Sequence, residues 1–199
     1  MKKLLLIFLL LSQSIFGQQV VIANRNYVSY FDINLKEPIA VSYKLYNGGG
    51  PCSRAKFRFI NDTQYPTATD ADYAKSGYDK GHLANAEDFA YDCELDELTF
   101  RYYNAWPQTT TLNRGVWKQV EATVRELSKK DTLIIICYAT NFIKVNRLFV
   151  PQYCYKLIYK QNKFYKAYQF TQKGEMKEVS EVFFKNEDAL IQKMIGLSK

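Results

Sequence analysis

Asp79-Lys80-Gly81-His82 contains the only histidine in the 199 residues of this chain. Two further segments follow it, Tyr103-Asn104-Ala105-Trp106-Pro107-Gln108 and Leu112-Asn113-Arg114-Gly115-Val116-Trp117. Gly81 permits a tight backbone conformation directly before His82, and a lone imidazole beside charged residues is a candidate general base. The three segments in this order indicate a catalytic site, whereas each one alone would be weak evidence.

The first seventeen residues have the pattern of a secretory signal peptide. Lys2 and Lys3 form its positive region, and Leu4 to Leu11 form an apolar region too short to span a bilayer. Cleavage is expected near Gly17, and no later segment is apolar for long enough to span a membrane. We therefore expect a secreted or periplasmic protein without a membrane anchor, with one domain over residues 18–199.

The chain is basic, with 27 lysines and arginines against 20 acids and a net charge of +7. Loss of two leader lysines would leave +5. This balance favours a polyanionic partner but is equally typical of an ordinary soluble protein. The acidic run from Glu87 to Glu97 predicts a solvated loop and helix start rather than a calcium site.

Four cysteines in an exported chain predict two disulfides. Of the three possible pairings we favour Cys52–Cys93 and Cys137–Cys154, because Cys137 and Cys154 lie in two strand-like runs joined by a short third run. A zinc site is disfavoured, since the chain has no C-x2-C pair and a single histidine.

The apolar periodicity predicts an α+β fold with a central antiparallel sheet and flanking helices. A helix is expected from about Leu112 to Lys129, with its N-cap among Thr109–Thr111. A long surface loop is expected over residues 61–78, and a closing helix over 186–197. The expected strands are 38–46, 132–138, 145–150, 153–160 and 164–171.

Polar residues border the buried stripe of the predicted long helix on one flank. At about 100° per residue, Glu121 lies near 80° and Arg125 near 120° from Asn113. Glu121 is also about 12 Å along the axis from Asn113, so an ion bound by Asn113, with Glu121 reaching its waters, is easier than direct ligation by both. Few protein ligands and many waters indicate Mg²⁺. A solvated Glu121–Arg125 pair is the simpler alternative.

The same residues suggest a division of labour in phosphodiester hydrolysis. A general base such as His82 supplies about 10²–10⁴ in rate, so a metal must carry most of the remaining barrier. The rate should rise through about pH 6–7 as the imidazole loses its proton. The residues expected to bind phosphate are Arg54, Lys56, Arg58 and Lys80.

The motifs Asp-Lys-Gly-His, Asn-x-x-Pro-Gln and Leu-Asn-x-Gly-x-Trp-x-x-x-Glu resemble those of the DNA/RNA non-specific endonuclease family. These endonuclease G-like enzymes have a ββα-metal (His-Me finger) active site. The resemblance implies a central antiparallel sheet, Mg²⁺ with Mn²⁺ as a substitute, and cleavage of DNA and RNA to 5′-phosphate ends.

The resemblance also implies roles for individual residues. His82 matches the general base, and Asn113 matches the direct metal ligand. Glu121 matches the acid that contacts metal-bound water. Asn104 matches an asparagine that supports the catalytic site, and Arg125 an arginine near the scissile phosphate.

The chain departs from the family pattern at two places. Lys80 stands where the family usually has arginine, which keeps the charge but loses the bidentate fork. The family also has a phosphate-binding arginine before an aromatic residue and an aspartate, which Phe59 and Asp62 match. Three residues are candidates for this role: Arg54, Lys56 and Arg58.

Two functions follow as hypotheses. The first is an exported, Mg²⁺-dependent endonuclease acting on DNA and RNA; a toxin delivered to competitors would share its chemistry. The second is a catalytically silent protein of the same fold that binds nucleic acid or another polyanion, for which Lys80 is the sequence support. The patterns leave open whether the protein is a monomer or homodimer and whether an inhibitor partner exists.

Overall fold

The computed structural model describes residues 18–185 and Met194. The predicted signal peptide and, apart from Met194, the predicted closing helix at 186–197 lie outside these residues. The strands are β1 (Gln19–Ala23), β2 (Tyr27–Asp32), β3 (Glu37–Leu45), β4 (Tyr78–His82), β5 (Ala105–Thr109), β6 (Leu133–Val145), β7 (Leu148–Lys160), β8 (Lys163–Thr171) and β9 (Met176–Val179). The α-helices are α1 (Asp70–Tyr73), α2 (Cys93–Leu98), α3 (Lys118–Ser128) and α4 (Glu181–Lys185).

Seven strands form an antiparallel sheet in the order β1-β2-β3-β6-β7-β8-β9, and β4 pairs with β5 in a separate ribbon. This arrangement confirms the predicted α+β fold. The predicted run at 153–160 and the second half of the run at 145–150 are one strand, β7, which begins at Leu148 and continues through Pro151, whereas Val145 ends β6. The predicted loop at 61–78 contains α1, whose first turn is closed by a capping box between Thr69 and Asp72.

The main sheet has a core on each face because side chains alternate along each strand. In β7, Cys154 and Ile158 join the larger core, which also contains Trp117 at the start of α3. Tyr155 and Leu157 point to the opposite face and the smaller core. This alternation places position 156 of β7 on the face that carries α3.

The β4–β5 ribbon leads directly into the helix that was predicted from Leu112 to Lys129. That helix is not regular, because Leu112–Trp117 is π-helical and Gly115 has non-helical angles (φ −98°, ψ −117°). Thr109 Oγ1 accepts a hydrogen bond from Leu112 N at 3.2 Å, whereas Thr111 makes no side-chain cap. Short π-helical segments are frequent at functional sites, and this one carries Asn113.

The structure contains one of the two predicted disulfides. Cys52 and Cys93 are bonded, with their Cα atoms 5.4 Å apart, but Cys137 and Cys154 are free and buried. Cys154 pairs across the sheet with Ala139 rather than with Cys137. Such diagonal neighbours are about 7–8 Å apart, beyond the usual disulfide span of about 6.8 Å, so the predicted Cys137–Cys154 bond was wrong.

None of the helices within residues 18–185 has the length and apolar character needed to cross a membrane.

Candidate active site

A cleft of about 600 Å³ brings together several of the predicted site residues. Its lining consists of Arg54, His82, Asn85, Glu87, Asn113, Arg114, Lys118, Glu121, Ala122 and Arg125. The π-helical segment and α3 supply Asn113, Glu121 and Arg125, and β4 supplies His82. The lining residues that were not predicted as part of the site are Asn85, Glu87, Arg114, Lys118 and Ala122.

His82 occupies an aromatic environment. Its ring centroid lies 4.8 Å from that of Phe59 and 4.7 Å from that of Phe100. Its buried Nε2 has no hydrogen-bond partner among the described residues. Burial, and then the positive charge of Arg54, lower the pKa of His82 to about 3. The imidazole is therefore neutral at neutral pH. This does not agree with the expectation that the rate rises through about pH 6–7 as His82 loses its proton.

The backbone around His82 is held by buried side chains. At Gly81, an added Cβ would lie 2.0 Å from Gln108 Oε1, so this position accepts only glycine without rearrangement. Trp117 Nε1 donates to the carbonyl oxygen of His82 at 3.2 Å. Both tryptophans are buried core residues, so neither forms a surface for stacking bases.

Asn104 does not line the cleft but makes hydrogen bonds to the segment that follows His82. Its Oδ1 accepts a hydrogen bond from Ala84 N at 2.8 Å, and its Nδ2 donates to the carbonyl oxygens of Ala84 at 3.0 Å and Thr99 at 2.9 Å. Because Asn104 is fully buried, it is a positioning residue for the chain that follows His82 and does not touch a substrate in the cleft.

The side chain of Asn113 is oriented by Asp79, for which the sequence motif alone predicted no role. Asn113 Nδ2 donates to Asp79 Oδ2 at 3.1 Å, and Arg114 donates two bonds of 2.9 Å to the same carboxylate. Although burial opposes the shift, these bonds hold the pKa of Asp79 below its usual range. Since its amide nitrogen is engaged, Asn113 has its oxygen available as a ligand.

Glu121 is paired with Lys156, a fully buried lysine that no sequence pattern indicated. Lys156 Nζ lies 3.7 Å from Glu121 Oε1 and 4.2 Å from the ring centroid of Trp117. Burial raises the pKa of Glu121 to about 7, against the opposing effect of Lys156. Burying both charges is costly unless each compensates the other, so Lys156 stabilises the ionised form of Glu121.

Arg125 extends this buried charged network. Its Nε lies 3.2 Å from Asp88 Oδ1, and the hydroxyl of Tyr43 donates to Asp88 Oδ2 at 3.0 Å. Asp88 is only 1% exposed, and burial raises its pKa to about 6. The prediction of a solvated acidic run is therefore wrong for Asp88, which anchors an arginine of the cleft.

Only one of the three upstream cations reaches the cleft. Arg54 lines it and forms an ion pair of 2.6 Å with Glu87. Lys56 is exposed and does not line the cleft, and Arg58 donates to carbonyl oxygens of its own segment, those of Ala55 and Phe57. The structure thus favours Arg54 among the three candidates for the phosphate-binding position.

Lys80 does not line the cleft, contrary to its predicted role in binding substrate there. Its Nζ forms an ion pair with Asp70. It also lies 5.4, 5.9 and 5.5 Å from the ring centroids of Phe59, Tyr73 and Tyr102, respectively. Cation–π contacts and an ion pair therefore account for the position of Lys80.

A neutral imidazole, an oriented amide oxygen and an acidic side chain lie together on one cation-rich cleft. Residues 11–189 match the family model of the DNA/RNA non-specific endonucleases. The chain belongs to this family of metal-dependent nucleases.

Relatives in the family have moderate sequence identity to this chain. Mitochondrial endonuclease G of Bos taurus is 30% identical over 123 residues, which are 59% of this chain and 41% of the relative. The mitochondrial nuclease EXOG of Xenopus laevis is 34% identical over 84 residues, 41% of this chain and 24% of the relative. A nuclease of Nostoc sp. is 36% identical over 69 residues, 35% of this chain and 25% of the relative. The matches thus span less than half of each relative.

The fold is also shared with a solved structure. A chain in the crystal structure of the EndoG/EndoGI complex aligns with a TM-score of 0.71 at 22% identity, covering 90% of this chain and 85% of that one. At this identity the likeness extends to the fold.

Proposed function

We propose that this chain is an exported, Mg²⁺-dependent endonuclease that hydrolyses phosphodiester bonds of both DNA and RNA and leaves 5′-phosphate ends. The observation that carries the proposal is the neutral His82, with its unpaired Nε2, on the same cleft as the oriented amide of Asn113. The β4–β5 ribbon followed by the π-helical segment and α3 is, in this proposal, the ββα-metal motif.

The residues present fit a hydrated cation. Within the described residues no group of three or more His, Cys, Asp or Glu side chains could hold a metal, so the ligand would be the oxygen of Asn113, with Glu121 accepting hydrogen bonds from surrounding waters. Mg²⁺ keeps several waters and tolerates few protein ligands, and Mn²⁺ could replace it. When bound, such an ion stabilises charge on the phosphate and on the departing oxygen.

The protein groups then divide the reaction among them. The imidazole of His82 accepts a proton from the water that attacks phosphorus. As the new P–O bond forms, the bond to the 3′ oxygen of the preceding nucleotide breaks, this oxygen takes a proton from solvent, and the 5′-phosphate remains on the following nucleotide. Arg54 and Arg125 bind the phosphate, and the neighbouring Lys118 adds positive charge. Because these contacts address the phosphate rather than a base or a sugar hydroxyl, they do not discriminate between DNA and RNA.

The test is cleavage of supercoiled plasmid and of single-stranded RNA by the mature protein in Mg²⁺, in Mn²⁺ and in EDTA. We expect both nucleic acids to be cut only with a divalent ion, and the products to accept a 5′ label only after phosphatase treatment. Cleavage in EDTA would contradict the role of the metal, and products that accept the label directly would contradict the direction of bond breaking.

The catalytically silent alternative rested on the replacement of arginine by Lys80. Since Lys80 lies outside the cleft, that replacement removes no group from it. Salt-dependent binding to nucleic acid, without turnover in Mg²⁺, by folded protein with an intact Cys52–Cys93 bond would favour this alternative.

Export remains part of the proposal and is tested separately. The first seventeen residues should be removed during secretion, which N-terminal sequencing of protein from the periplasm or medium would detect. Recovery of the intact leader on cytoplasmic protein alone would contradict it.

A further inference from the structure

A second basic groove, of about 480 Å³, lies apart from the cleft. It is lined by Lys36, Lys144 and Arg147, together with Phe149, Asp72 and two asparagines. We call it the hairpin groove, because two of its cations come from the β6–β7 hairpin. It shares no lining residue with the cleft.

Two tight turns form the hairpin groove. The turn between β2 and β3 ends at Lys36, whose left-handed backbone (φ 57°) and hydrogen bond from Ala68 N to its carbonyl oxygen (3.4 Å) fix the turn beside α1. The β6–β7 turn contains Asn146 in the same conformation (φ 55°) and carries Arg147. Turn geometry therefore sets the positions of Lys36 and Arg147, and Lys144 is placed beside them by the end of β6.

Among the described residues, the cations of the groove are not held by acids, whereas those of the cleft largely are. Lys144 does make a cation–π contact, with its Nζ 5.8 Å from the ring centroid of Phe149. Within residues 18–185, no ion pair involves Lys36, Lys144 or Arg147. The one acid of the groove, Asp72, accepts hydrogen bonds from Thr69 N at 3.0 Å and Thr69 Oγ1 at 2.8 Å. By contrast, the cleft contains three paired arginines: Arg54 with Glu87, Arg114 with Asp79 and Arg125 with Asp88.

A small core links the groove to the catalytic histidine. Leu148 of the hairpin belongs to the cluster that contains Tyr73 and Tyr102. Phe59 packs against that cluster, 5.5 Å from the ring of Tyr102, and lies 4.8 Å from His82. The hairpin is thus supported by the same aromatic residues that hold His82, so the groove keeps a fixed position relative to the cleft.

We propose that the hairpin groove binds the phosphodiester backbone of the nucleic acid at a distance from the bond that is cut. This inference rests on the proposed function of the cleft. Unpaired cations that bind a polyanion displace its condensed counterions. The logarithm of the binding constant therefore falls with the logarithm of the salt concentration, and this salt slope is about −0.9 per phosphate contact on duplex DNA. The paired cations of the cleft contribute less to this attraction, since each already neutralises an acid. The groove therefore supplies affinity for long substrates, while the cleft supplies the chemistry.

The test compares a groove variant with a matched control of equal net charge. The groove variant is Lys36→Asn, Lys144→Thr and Arg147→Gln, in which asparagine suits the left-handed position 36. The control neutralises three exposed lysines with no ion pair in the described residues, by Lys130→Gln, Lys163→Thr and Lys177→Thr. Binding is measured in EDTA at several salt concentrations, with duplexes of about 30 and about 6 base pairs, roughly 100 and 20 Å long.

We expect the groove variant to lower affinity for the long duplex and to reduce its salt slope by about 2–3, with affinity for the short duplex nearly unchanged. Its thermal midpoint and its cleavage of the short duplex in Mg²⁺ should match those of the control. Equal losses in the two variants, or equal losses on both duplexes, would overturn the proposal. Loss of binding to anionic phosphatidylserine vesicles, with unchanged DNA binding, would also overturn it and indicate a membrane surface.

These results separate the two proposals. If the unmodified protein binds the long duplex through the groove but cuts nothing, the endonuclease proposal fails and the groove stands. If the groove variant cuts and binds the long duplex like the control, the groove proposal alone fails.

Discussion

His82 and Glu121 line the same cleft, yet their surroundings are opposite in character. His82 lies between Phe59 and Phe100, where burial lowers its pKa to about 3. Glu121 lies among charges, next to Lys156, and its pKa is nevertheless raised by burial to about 7. The aromatic wall, formed by Phe59 and Phe100, keeps the base uncharged. In the charged wall, Lys156 offsets only part of the effect of burial, so Glu121 is partly ionised near pH 7.

The two walls also differ in how they are built along the chain. The aromatic wall packs around the β4–β5 ribbon. The charged wall depends on Lys156 of β7, a strand of the main sheet, which reaches α3 only because the sheet packs beneath that helix. Substitutions on the two walls should therefore have different effects, and four predictions follow, from the largest to the smallest.

Lys156→Met should lower the free energy of unfolding by about 3 kcal/mol, because removal of one partner leaves the buried charge of Glu121 uncompensated. Chemical denaturation measures this change. Adding Glu121→Gln to the variant should restore part of the stability. The control is Lys129→Met, which breaks an exposed pair with Glu126 (2.7 Å) and should cost under about 1 kcal/mol. Equal costs for the two lysines would contradict the charged wall.

Asp79→Ala should raise the Mg²⁺ concentration that gives the half-maximal rate by about 10–100-fold, as is typical when a partner that orients a ligand is lost. Arg114→Gln is the control, since it removes the other partner of Asp79 but leaves the bond to Asn113 in place. Metal titrations of the cleavage rate measure both. A larger increase in this Mg²⁺ concentration for Arg114→Gln than for Asp79→Ala would contradict the role of Asp79 in orienting Asn113.

His82 should not titrate between pH 5 and 8, because its pKa in the folded state is lowered to about 3. As the only histidine, it gives a single imidazole signal in NMR. In the unfolded chain it takes up a proton near pH 6.5, so its contribution to stability is lost as the pH falls from there towards 3. Phe59→Ala should raise the folded-state pKa by opening the site. A midpoint at pH 6–7 in the unmodified protein would contradict the aromatic wall.

Lys80→Arg should change the cleavage rate by no more than about twofold, because Lys80 lies among aromatic rings outside the cleft and substitutions away from buried networks have small effects. Initial rates on plasmid DNA test this. A large gain in rate would mean that the family's arginine acts in the cleft and that lysine is a defect.

The sheet and the site motifs could be predicted from the sequence because their signals are local. Alternating apolar residues mark β3, and His82, Asn113 and Glu121 lie in short motifs whose spacing brings them to one cleft. The irregular start of the helix was missed, since one glycine with non-helical angles does not disturb the apolar stripe. A regular helix would place Asn113 and Glu121 on one flank, and both line the cleft although the start of the helix is irregular.

Apart from the Cys52–Cys93 disulfide, interactions between distant segments could not be predicted. Lys156 lies in a strand where a lysine would be expected to face solvent, and only the packing of the sheet against α3 shows that it meets Glu121. Asp88 was hidden within an acidic run for the same reason. The Cys137–Cys154 prediction failed because it depended on the register between β6 and β7. In the observed register Cys154 lies opposite Ala139, two residues away from Cys137.

The most direct test of the account is plasmid cleavage in Mg²⁺ by the unmodified protein, by His82→Ala and by Lys163→Ala, an exposed control outside the cleft. We predict that His82→Ala loses at least about 10² in rate with a nearly unchanged thermal midpoint, while the control retains full activity. Full cleavage by folded His82→Ala would remove His82 from the chemistry and contradict the central claim.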